Sequence, residues 1–486
     1  MELSKENLET LEKKIKYSQR DSNLELEAVV DREISQAKFV QILQKIKQMK
    51  HHVNQDILEE ETLDITFADR SITERITISN NTNIRKYCKS GTLTGIPEKN
   101  IKIMKKERVF PTTNVKDYGV RFNLKRETEV PLGSSEIQTL LRNLKSSEKN
   151  FRYKKRYSFT TKDNLFSFDM TVVKSSESRE VRAPSQKKAK RDIKPFLRKY
   201  VIAPEYENNP DTWFDSLADD DVVELVGKKY MELVPKKDIK AANVFTNKMN
   251  YEVELEFIGN KIGGKKESND TVLQKLVENV GYILQEVQDN YFLMSDNKKD
   301  DFFKVYKSLV GTHKFSGPNN VTLEYHNAVQ RSYTDYYNTV NIRKGYSVTD
   351  KADGERNLLV IGEEGECYLF NRKNVVKATG KKIDAPRTIL DGEYIKQDKL
   401  GNPIALFMVF DIYFLNGEDV RDNVLMRSTE EKGDDKVAKS RLEYLDDFIT
   451  TLNSARDSEG DSEGSEREGR NTALEFTIKK KKFYFG

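Results

Sequence analysis

The sequence has little cysteine and little histidine. Only Cys88 and Cys367 occur in 486 residues, far apart, and the four histidines show no metal-ligand spacing. These counts exclude a disulfide framework and a zinc cluster, and they favour a reducing compartment. A metal site in this chain would therefore depend on carboxylates, which suit Mg²⁺ or Mn²⁺ better than Zn²⁺.

Long apolar runs are also missing. No stretch approaches the roughly 20 residues needed to cross a bilayer, and the N-terminus MELSKENLETLEKKIK lacks the apolar core of a signal peptide. We therefore expect a cytoplasmic protein without a membrane partner. The net charge of only +4 does not predict nucleic-acid binding by itself, so local basic clusters must be considered.

The pattern of polar and apolar residues along the chain predicts an α+β protein with several segments and domains. Residues 1–21 predict a charged N-terminal arm. Residues 22–260 alternate polar and apolar positions in many short segments, which predicts antiparallel strands in a closed barrel. Residues 261–270 contain a double glycine and charges, as a linker does. Residues 271–486 have denser apolar strands and predict a second, α/β domain.

Three further segments have distinct patterns. Residues 184–191, PSQKKAKR, predict a basic loop. Residues 436–453 show apolar residues at helical spacing and predict a helix. Residues 456–470 contain no apolar side chain and predict disorder.

Two glutamate-rich strands stand at the two ends of the predicted barrel. Glu25 and Glu27 lie in LELE, and Glu252, Glu254 and Glu256 lie in YEVELEF. Period two places each set on one face of its strand. If that face is enclosed, the repulsion between carboxylates must be offset by a bound cation or by basic groups.

The strands between these ends carry basic residues at alternating positions. The residues concerned are Arg75, Arg121, Lys125, Arg152, Lys154 and Arg156, with Asp169 on a further strand. Such a barrel predicts a polyphosphate site in which carboxylates hold a divalent metal, the metal activates water and the cations bind phosphates. For each strand alone, a solvated charged face is the simpler interpretation.

This arrangement resembles the triphosphate tunnel metalloenzymes, in particular the RNA triphosphatases of poxvirus-like and giant-virus capping enzymes and of fungi. The resemblance implies a catalytic Mg²⁺ or Mn²⁺ held by Glu25, Glu27, Glu254 and Glu256, with Glu252 extending the set. It implies phosphate binding by Arg75, Lys154 and Arg156, with Lys125 as a looser match, and an orienting role for Asp169. Ser167 departs from the family pattern, which often has a basic residue there.

The second domain contains KADGER at residues 351–356, which matches the nucleophile motif K-x-D-G-x-R. A deprotonated Lys351 amine could attack an α-phosphate and hold the nucleotide as a phosphoramidate. Asp353 belongs to the same nucleotide motif, Gly354 would let the turn approach the nucleotide, and Arg356 would reach ribose or phosphate. A surface turn is the alternative, because Asp-Gly is a common turn dipeptide.

Three downstream segments strengthen the nucleotide interpretation. LFNRKNVV carries Arg372, TILDGEYI carries Glu393, and FMVFDIYFLNG carries Phe410 and Asp411. With KADGER they resemble, in order and spacing, the mRNA guanylyltransferases, which have a covalent nucleotidyltransferase fold of the ligase-like, ATP-grasp type. The resemblance implies GTP as a substrate, a lysyl-GMP intermediate at Lys351, Phe410 near the base and Asp411 near a metal.

The second domain lacks two motifs of that family. We find neither the D-G-L-I/V-F strand nor the K-x-K strand, and no OB-fold segment follows. We therefore expect residues 271–486 to be an incomplete, C-terminally truncated guanylyltransferase whose activity is open. A separate methyltransferase or the missing C-terminal domain would then be a candidate partner.

The two halves together predict an mRNA capping enzyme of viral type, acting on 5′-triphosphate RNA and GTP in host cytoplasm or virion. The order favours this pair, because the first product is the second substrate. An RNA or DNA ligase and a non-catalytic capping scaffold remain alternatives. An inorganic tripolyphosphatase or nucleotide hydrolase remains open for the first half.

Overall fold

The computed structural model describes most of the chain, in two compact units. The described residues are 1–69, 71–176, 236–261, 267–328, 342, 345–427, 438–458 and 474–485. The units are Met1–Ile283 and Leu284–Gly486. Residues 262–266 of the predicted linker, 261–270, lie outside the described residues, and so does the whole basic loop 184–191. The predicted domain boundary therefore stays a prediction.

Eight antiparallel strands of the first unit close into a barrel. In chain order the strands are β1 (Leu24–Val30), β2 (Leu58–Phe67), β3 (Glu74–Ser79), β4 (Ile101–Arg108), β5 (Thr113–Val115), β6 (Val120–Glu129), β7 (Lys149–Thr160), β8 (Phe166–Ser175) and β9 (Asn250–Phe257). Around the ring the order is β1-β9-β8-β7-β2-β3-β4-β6, and β6 pairs again with β1, while the short β5 pairs with β6 only. The predicted closed barrel is confirmed.

The apolar faces of these strands point outward, toward the helices. Leu63 and Ile65 of β2 and Ile76 and Ile78 of β3 pack in one buried cluster with Tyr87 of a covering helix. Because side chains alternate along a strand, the residues between them face the barrel interior. The interior is therefore left to polar and charged side chains.

Among the residues that the structure describes, five helices accompany the barrel. They are α1 (Lys5–Ser18), α2 (Gln36–Gln48), α3 (Asn81–Ser90), α4 (Ser135–Arg142) and α5 (Asn269–Gln288), of which residues up to Ile283 belong to this unit. The predicted arm is thus the amphipathic helix α1, with Leu11 and Ile15 buried. Ser268 caps α5 by accepting a hydrogen bond from the Thr271 amide at 3.1 Å.

The second unit is built on a seven-stranded sheet. The strands of the whole unit, in chain order, are β10 (Ser347–Thr349), β11 (Glu355–Ile361), β12 (Glu366–Asn371), β13 (Val376–Lys382), β14 (Thr388–Gln397), β15 (Pro403–Leu415), β16 (Glu418–Asp419), β17 (Phe476–Lys480) and β18 (Phe483–Phe485). The sheet order is β13-β12-β11-β14-β15-β16, with β17 parallel to β15, and β10 and β18 form a separate pair. This mixed sheet agrees with the predicted nucleotidyltransferase class.

The helices α6 (Asp296–Val310) and α8 (Arg441–Ser458) cover opposite faces of this sheet, and the short α7 (Tyr325–Ala328) lies between α6 and β10 in the chain. Leu358 and Val360 of β11 pack with Phe302 of α6, whereas Leu359 and Ile361 pack in the cluster that contains α8. The predicted helix at 436–453 begins later, at Arg441, and ends at residue 458, so the predicted disorder at 456–470 is wrong for its first three residues. The rest of that segment lies outside the described residues.

Gly392 is the position in β14 where a side chain does not fit. A Cβ there would lie 2.5 Å from the Phe407 ring and 2.7 Å from the Met408 carbonyl oxygen on β15. We expect Gly392→Ala to lower the free energy of unfolding by about 2 kcal/mol through overpacking, measured by thermal or urea unfolding. Gly362→Ala is the matched control, because its Cβ would meet no atom closer than 3.4 Å. Equal stability of the two variants would contradict this packing.

Candidate active sites

The glutamates of β1 and β9 gather inside the barrel. Glu27 and Glu256 are direct partners across the β1–β9 pairing, and Glu254 is the partner of Asp169 across β8–β9. Burial, and next the charge of Glu27, raises the pKa of Glu254 to about 7. Burial and the charge of Glu25 also raise the pKa of Glu256. The basic side chains around Glu254 and Glu256 therefore do not fully offset the burial of these two carboxylates and their repulsion by neighbouring carboxylates.

Lys261, just after β9, bridges two of these carboxylates. Its Nζ lies 2.7 Å from Glu256 Oε1 and 3.1 Å from Glu25 Oε1. Although burial alone would raise the pKa of Glu25, Lys106 and Lys261 hold it below its ordinary value. An ammonium group thus occupies a place where two carboxylates attract a cation.

The donor chemistry of this cluster fits a divalent metal ion. Its ligands are carboxylate oxygens, which Mg²⁺ and Mn²⁺ prefer, and a cation would relieve the repulsion that raises the pKa of Glu254. The carboxylates contact basic side chains instead, and within the described ranges no three Asp, Glu, His or Cys groups already converge as a metal cage. Glu252 lies apart from the others, paired with Arg152.

Glu254→Gln is expected to raise the melting temperature of the metal-free protein more at pH 8 than at pH 5. The folded-state pKa of Glu254 is about 7 against an ordinary 4.5, so the folded state binds this proton more tightly than the unfolded state does. Stability therefore falls as the pH rises from about 4.5 to about 7, by at most about 3 kcal/mol. Glutamine removes the charge and with it this pH-dependent loss.

The measurement is thermal unfolding in EDTA at both pH values. Glu33→Gln is the control, because Glu33 is an exposed glutamate of the same unit that pairs with the exposed Lys248 at 3.2 Å. An equal gain for Glu254→Gln at pH 5 and pH 8 would contradict the burial of an ionised carboxylate at this position.

Basic residues line the wall next to the glutamates. Arg156 of β7 contacts Asp169 at 3.1 Å and Glu254 at 3.7 Å, and Lys125 of β6 contacts Glu27. Ser167 donates a hydrogen bond to Asp169 at 2.7 Å. Ser167 thus supplies a neutral donor to the aspartate.

Four lumen residues escape sequence reasoning. They are Asp64, Lys106, Glu127 and Lys261. Lys106 of β4 contacts Glu25 at 3.5 Å and also Glu127 of β6, and Asp64 of β2 contacts Lys154 at 2.5 Å. Asp64 and Lys106 lie on strands whose charge runs hide the alternation, so no sequence signal separates them from surface charges.

Arg75 connects these residues. Its guanidinium lies 3.8 Å from both Asp64 and Glu127. Burial, and next the charge of Arg75, lowers the pKa of Lys106 to about 8. The predicted phosphate-binding residues Arg75, Lys125, Lys154 and Arg156 are thus brought together in the lumen, each held by a carboxylate.

In the second unit, Arg356 is fixed on all sides. Its Nε donates to Asp391 Oδ1 at 3.0 Å, its Nη2 donates to Asp391 Oδ2, and its Nη1 donates to the Pro318 carbonyl at 2.6 Å. Tyr413 also donates to Asp391, which is fully buried. Arg356 is therefore a rigid wall of the site, with its polar donors satisfied by protein groups.

Glu393, Phe410 and Lys481 form an adjacent surface. Lys481 Nζ lies 3.9 Å from Glu393 Oε1 and 5.4 Å from the centre of the Phe410 ring. Glu393 Oε2 is buried and lacks a hydrogen-bond partner among the described residues. A buried acceptor, a buried ammonium and an aromatic ring together suit a polar, flat ligand. Sequence reasoning missed Lys481, because it stands within a run of four lysines.

The first four residues of the nucleophile motif lie in a loop between β10 and β11, and its last two, Glu355 and Arg356, begin β11. Lys351, Asp353 and Gly354 are exposed. A Cβ at Gly354 would lie 2.8 Å from the Tyr394 carbonyl oxygen, so glycine is needed here for the approach to β14. This loop thus passes beside the strand that carries Glu393.

Of the two remaining predicted nucleotide residues, Asp411 is the cross-strand partner of Asp391, which holds Arg356. Arg372 is exposed in the turn after β12 rather than in a strand. Asp411 accepts hydrogen bonds from Arg441 of α8 at 2.7 and 3.1 Å and lines a pocket of about 250 Å³ with Tyr413 and Arg421. Burial raises the pKa of Asp411 against the opposing effect of Arg441. The predicted metal role of Asp411 stays a prediction.

Comparison with known proteins agrees with the motifs of the second unit. Residues 284–430 match the family model of the mRNA capping enzyme, catalytic domain. The chain is 33% identical over 195 residues to a probable mRNA-capping enzyme of Acanthamoeba polyphaga mimivirus, covering 38% of this chain. It is 31% identical over 87 residues to an mRNA-capping enzyme of Danio rerio, covering 16% of this chain. Each match spans 14% of the relative's length.

Solved structures with low similarity were also found. A mimivirus capping enzyme triphosphatase aligns with 58% of this chain and 99% of its own, at 19% identity and a TM-score of 0.36. An RNA triphosphatase of S. pombe aligns with 59% of this chain and 95% of its own, at 10% identity and a TM-score of 0.31.

No helix within the described ranges is long and apolar enough to cross a membrane. The resemblance stated from the motifs is confirmed: residues 284–430 match the mRNA capping enzyme family, and the chain is similar to a viral member of it.

Proposed function

We propose that this chain performs two consecutive steps of mRNA capping. The first unit hydrolyses the γ-phosphate of 5′-triphosphate RNA, and the second transfers GMP from GTP through a lysyl-GMP intermediate. The observation that carries the proposal is the closed barrel, in which Glu27 and Glu256 face each other beside a wall of lysines and arginines. The diphosphate end left by the first step is the acceptor of the second.

Within the barrel, the acidic residues are assigned to the metal ion and the basic residues to the phosphates. We assign the metal-holding role to Glu25, Glu27, Glu254 and Glu256, with Glu252 as an outer member. A bound Mg²⁺ or Mn²⁺ would supply Lewis-acid activation of water and of the phosphoryl oxygens. Arg75, Lys154 and Arg156, joined by Lys106 and Lys125, bind the phosphate chain through charge-assisted hydrogen bonds.

The barrel also excludes bulk water from the phosphates. Lys154 is only 12% exposed and Glu27 only 14%, so their charges act in a medium of lower dielectric than bulk water. Asp169 keeps Arg156 oriented toward the lumen. These residues are preorganised for a chain of anionic phosphates.

In the second unit, we assign the nucleophile to Lys351. Asp353 and Gly354 shape its loop, and Arg356 forms the wall behind it. Glu393 offers its unpartnered oxygen to a ligand hydroxyl, while Phe410 and Lys481 present a ring and an ammonium to a base. Arg372, in the turn after β12, and Asp411, the cross-strand partner of Asp391, are assigned to the nucleotide on the motif alone.

The proposal is tested by the position of the label that is released. RNA labelled in the γ-phosphate is compared with RNA labelled in the β-phosphate, each with Mg²⁺ or Mn²⁺. We expect release of the γ-label only, with a diphosphate end left on the RNA. Release of both labels, or hydrolysis of inorganic tripolyphosphate alone, would favour a general phosphatase instead.

A further inference from the structure

Asp64 is a buried carboxylate that faces the lumen but lies away from the glutamate cluster. It is 3% exposed on β2, and its partners across the neighbouring strands are Arg152 and Thr77. Its Oδ2 lies 2.5 Å from Lys154 Nζ and 3.8 Å from Arg75 Nη1. Thr77 donates to its Oδ1 at 2.8 Å. One carboxylate therefore holds two cations that come from different strands.

Asp64 differs electrostatically from the glutamates of the cluster. Although burial alone would raise its pKa, Lys154 and Arg75 hold the pKa of Asp64 below its ordinary range. The pKa of Glu254, in contrast, is raised to about 7. Asp64 is thus already neutralised by protein cations, and a metal ion would gain little there.

Asp64 favours the charged form of Lys154. Burial lowers the pKa of Lys154, and Arg156 and Arg75 lower it further, while Asp64 is the group that raises it. No other carboxylate contacts Lys154 within 4.0 Å among the described residues. Without Asp64, Lys154 would face two guanidinium groups and no counter-ion.

We propose that Asp64 is a positioning residue that fixes Lys154 and Arg75 in the geometry that binds the phosphate chain. The inference rests on the proposed triphosphatase function of the barrel. Asp64 touches neither substrate nor metal, and it acts by orienting one cation from β7 and one from β3. Its removal should therefore change how the phosphates are held, without removing a metal ligand.

The first test is the pH profile of γ-phosphate release by Asp64→Asn. Asparagine keeps the size and can still accept from Thr77, but it removes the charge. We expect kcat/KM at pH 8 to fall about a hundredfold, as for a misplaced binding group. We expect the alkaline limb to move by about one pH unit or more toward lower pH, since Lys154 loses its counter-ion. Asp64→Glu should restore part of the rate.

The matched control lies on the same strand. Glu59 of β2 faces outward and pairs with Lys155 of β7 at 3.6 Å, both exposed. Glu59→Gln removes the same kind of β2–β7 ion pair on the opposite face and should leave the rate and the pH profile unchanged. A loss of rate in Asp64→Asn with an unshifted pH profile would overturn the positioning role.

A double variant separates positioning from folding. Because Arg75 still contacts Asp64 when Lys154→Gln is present, Asp64→Asn should then lower kcat/KM by about tenfold, less than its hundredfold effect in the wild type. Should Asp64→Asn alone fail to fold, the double variant removes both buried charges and should recover its melting temperature. Losses that multiply fully in the double variant would overturn the inference.

The outcomes for this inference and for the proposed function are distinct. A wild type that releases no γ-phosphate overturns both. A wild type that releases it, with an Asp64→Asn variant of equal rate, overturns only the role of Asp64. Titration of Lys154 by NMR, with lysine labelled at Cε, gives a readout independent of hydrolysis: its pKa should fall in Asp64→Asn and not in Glu59→Gln.

Discussion

Glu256→Gln is expected to reduce γ-phosphate release from 5′-triphosphate RNA by about a thousandfold or more. Glu256 is the direct cross-strand partner of Glu27, so the substitution removes half of the carboxylate pair at the centre of the cluster. The amide keeps the shape but loses the charge that a divalent cation needs. The measurement is the single-turnover rate at saturating Mn²⁺ and RNA.

Controls for this prediction use glutamates of the same unit. Glu33→Gln, on the exposed surface, should retain the wild-type rate. The double variant Glu27→Gln/Glu256→Gln should be hardly slower than either single variant, because residues that act as one site show non-additive losses. A Glu256→Gln protein that keeps more than about a tenth of the rate would rule out the cluster as the metal site.

Lys351→Arg is expected to abolish covalent labelling of the chain by α-labelled GTP with Mg²⁺. An arginine cannot lose its proton in a protein and so cannot attack the α-phosphate, although it keeps the positive charge. Lys351 lies in an exposed loop, so the substitution should leave the melting temperature unchanged. The measurement is label that stays on the chain through denaturing electrophoresis and is stable to alkali but released by acid, as expected of a phosphoramidate.

Lys382→Arg is the control for this second prediction. Lys382 is an exposed lysine of β13 in the same unit, 3.8 Å from Glu366. Label that persists in Lys351→Arg would refute the nucleophile assignment. A wild type that takes no label would refute GMP transfer by this chain and leave the barrel proposal intact. Preference for ATP over GTP would favour a ligase-type activity.

The barrel could be predicted from the sequence because most of its strands alternate cleanly. LELEAVV and YEVELEF place their glutamates on one face, and the structure pairs these two strands directly. Two of the eight strands, β2 and β4, were not predicted. β2 starts with three consecutive glutamates after Leu58, and β4 has a run of charges at its end, so period two is lost in both.

The missed lumen residues follow from the missed strands. Asp64 lies on β2 and Lys106 on β4, and neither can be assigned to the lumen until the ring order places those strands between β7 and β6. Their roles depend on contacts between residues far apart in sequence, such as Lys154 with Asp64. No local pattern encodes such contacts.

In the second unit, the sequence motifs predict the positions of the loop and the strands well, but they do not predict the contacts of individual side chains. KADGER and LDGEY lie on neighbouring strands, where Arg356 and Glu393 are cross-strand partners. The sequence assigned Arg356 to ribose or phosphate, whereas its donors contact Asp391 and Pro318. Lys481 could not be distinguished from Lys480, which contacts Asp446 instead.

The most direct test of the barrel as a triphosphate site is a crystal structure with Mn²⁺ and inorganic tripolyphosphate. The anomalous signal locates Mn²⁺, and the difference density locates the phosphates. We predict Mn²⁺ among Glu25, Glu27, Glu254 and Glu256, with the phosphates against Arg75, Lys154 and Arg156. Mn²⁺ or tripolyphosphate bound only outside the barrel, with the lumen ion pairs unchanged, would contradict it.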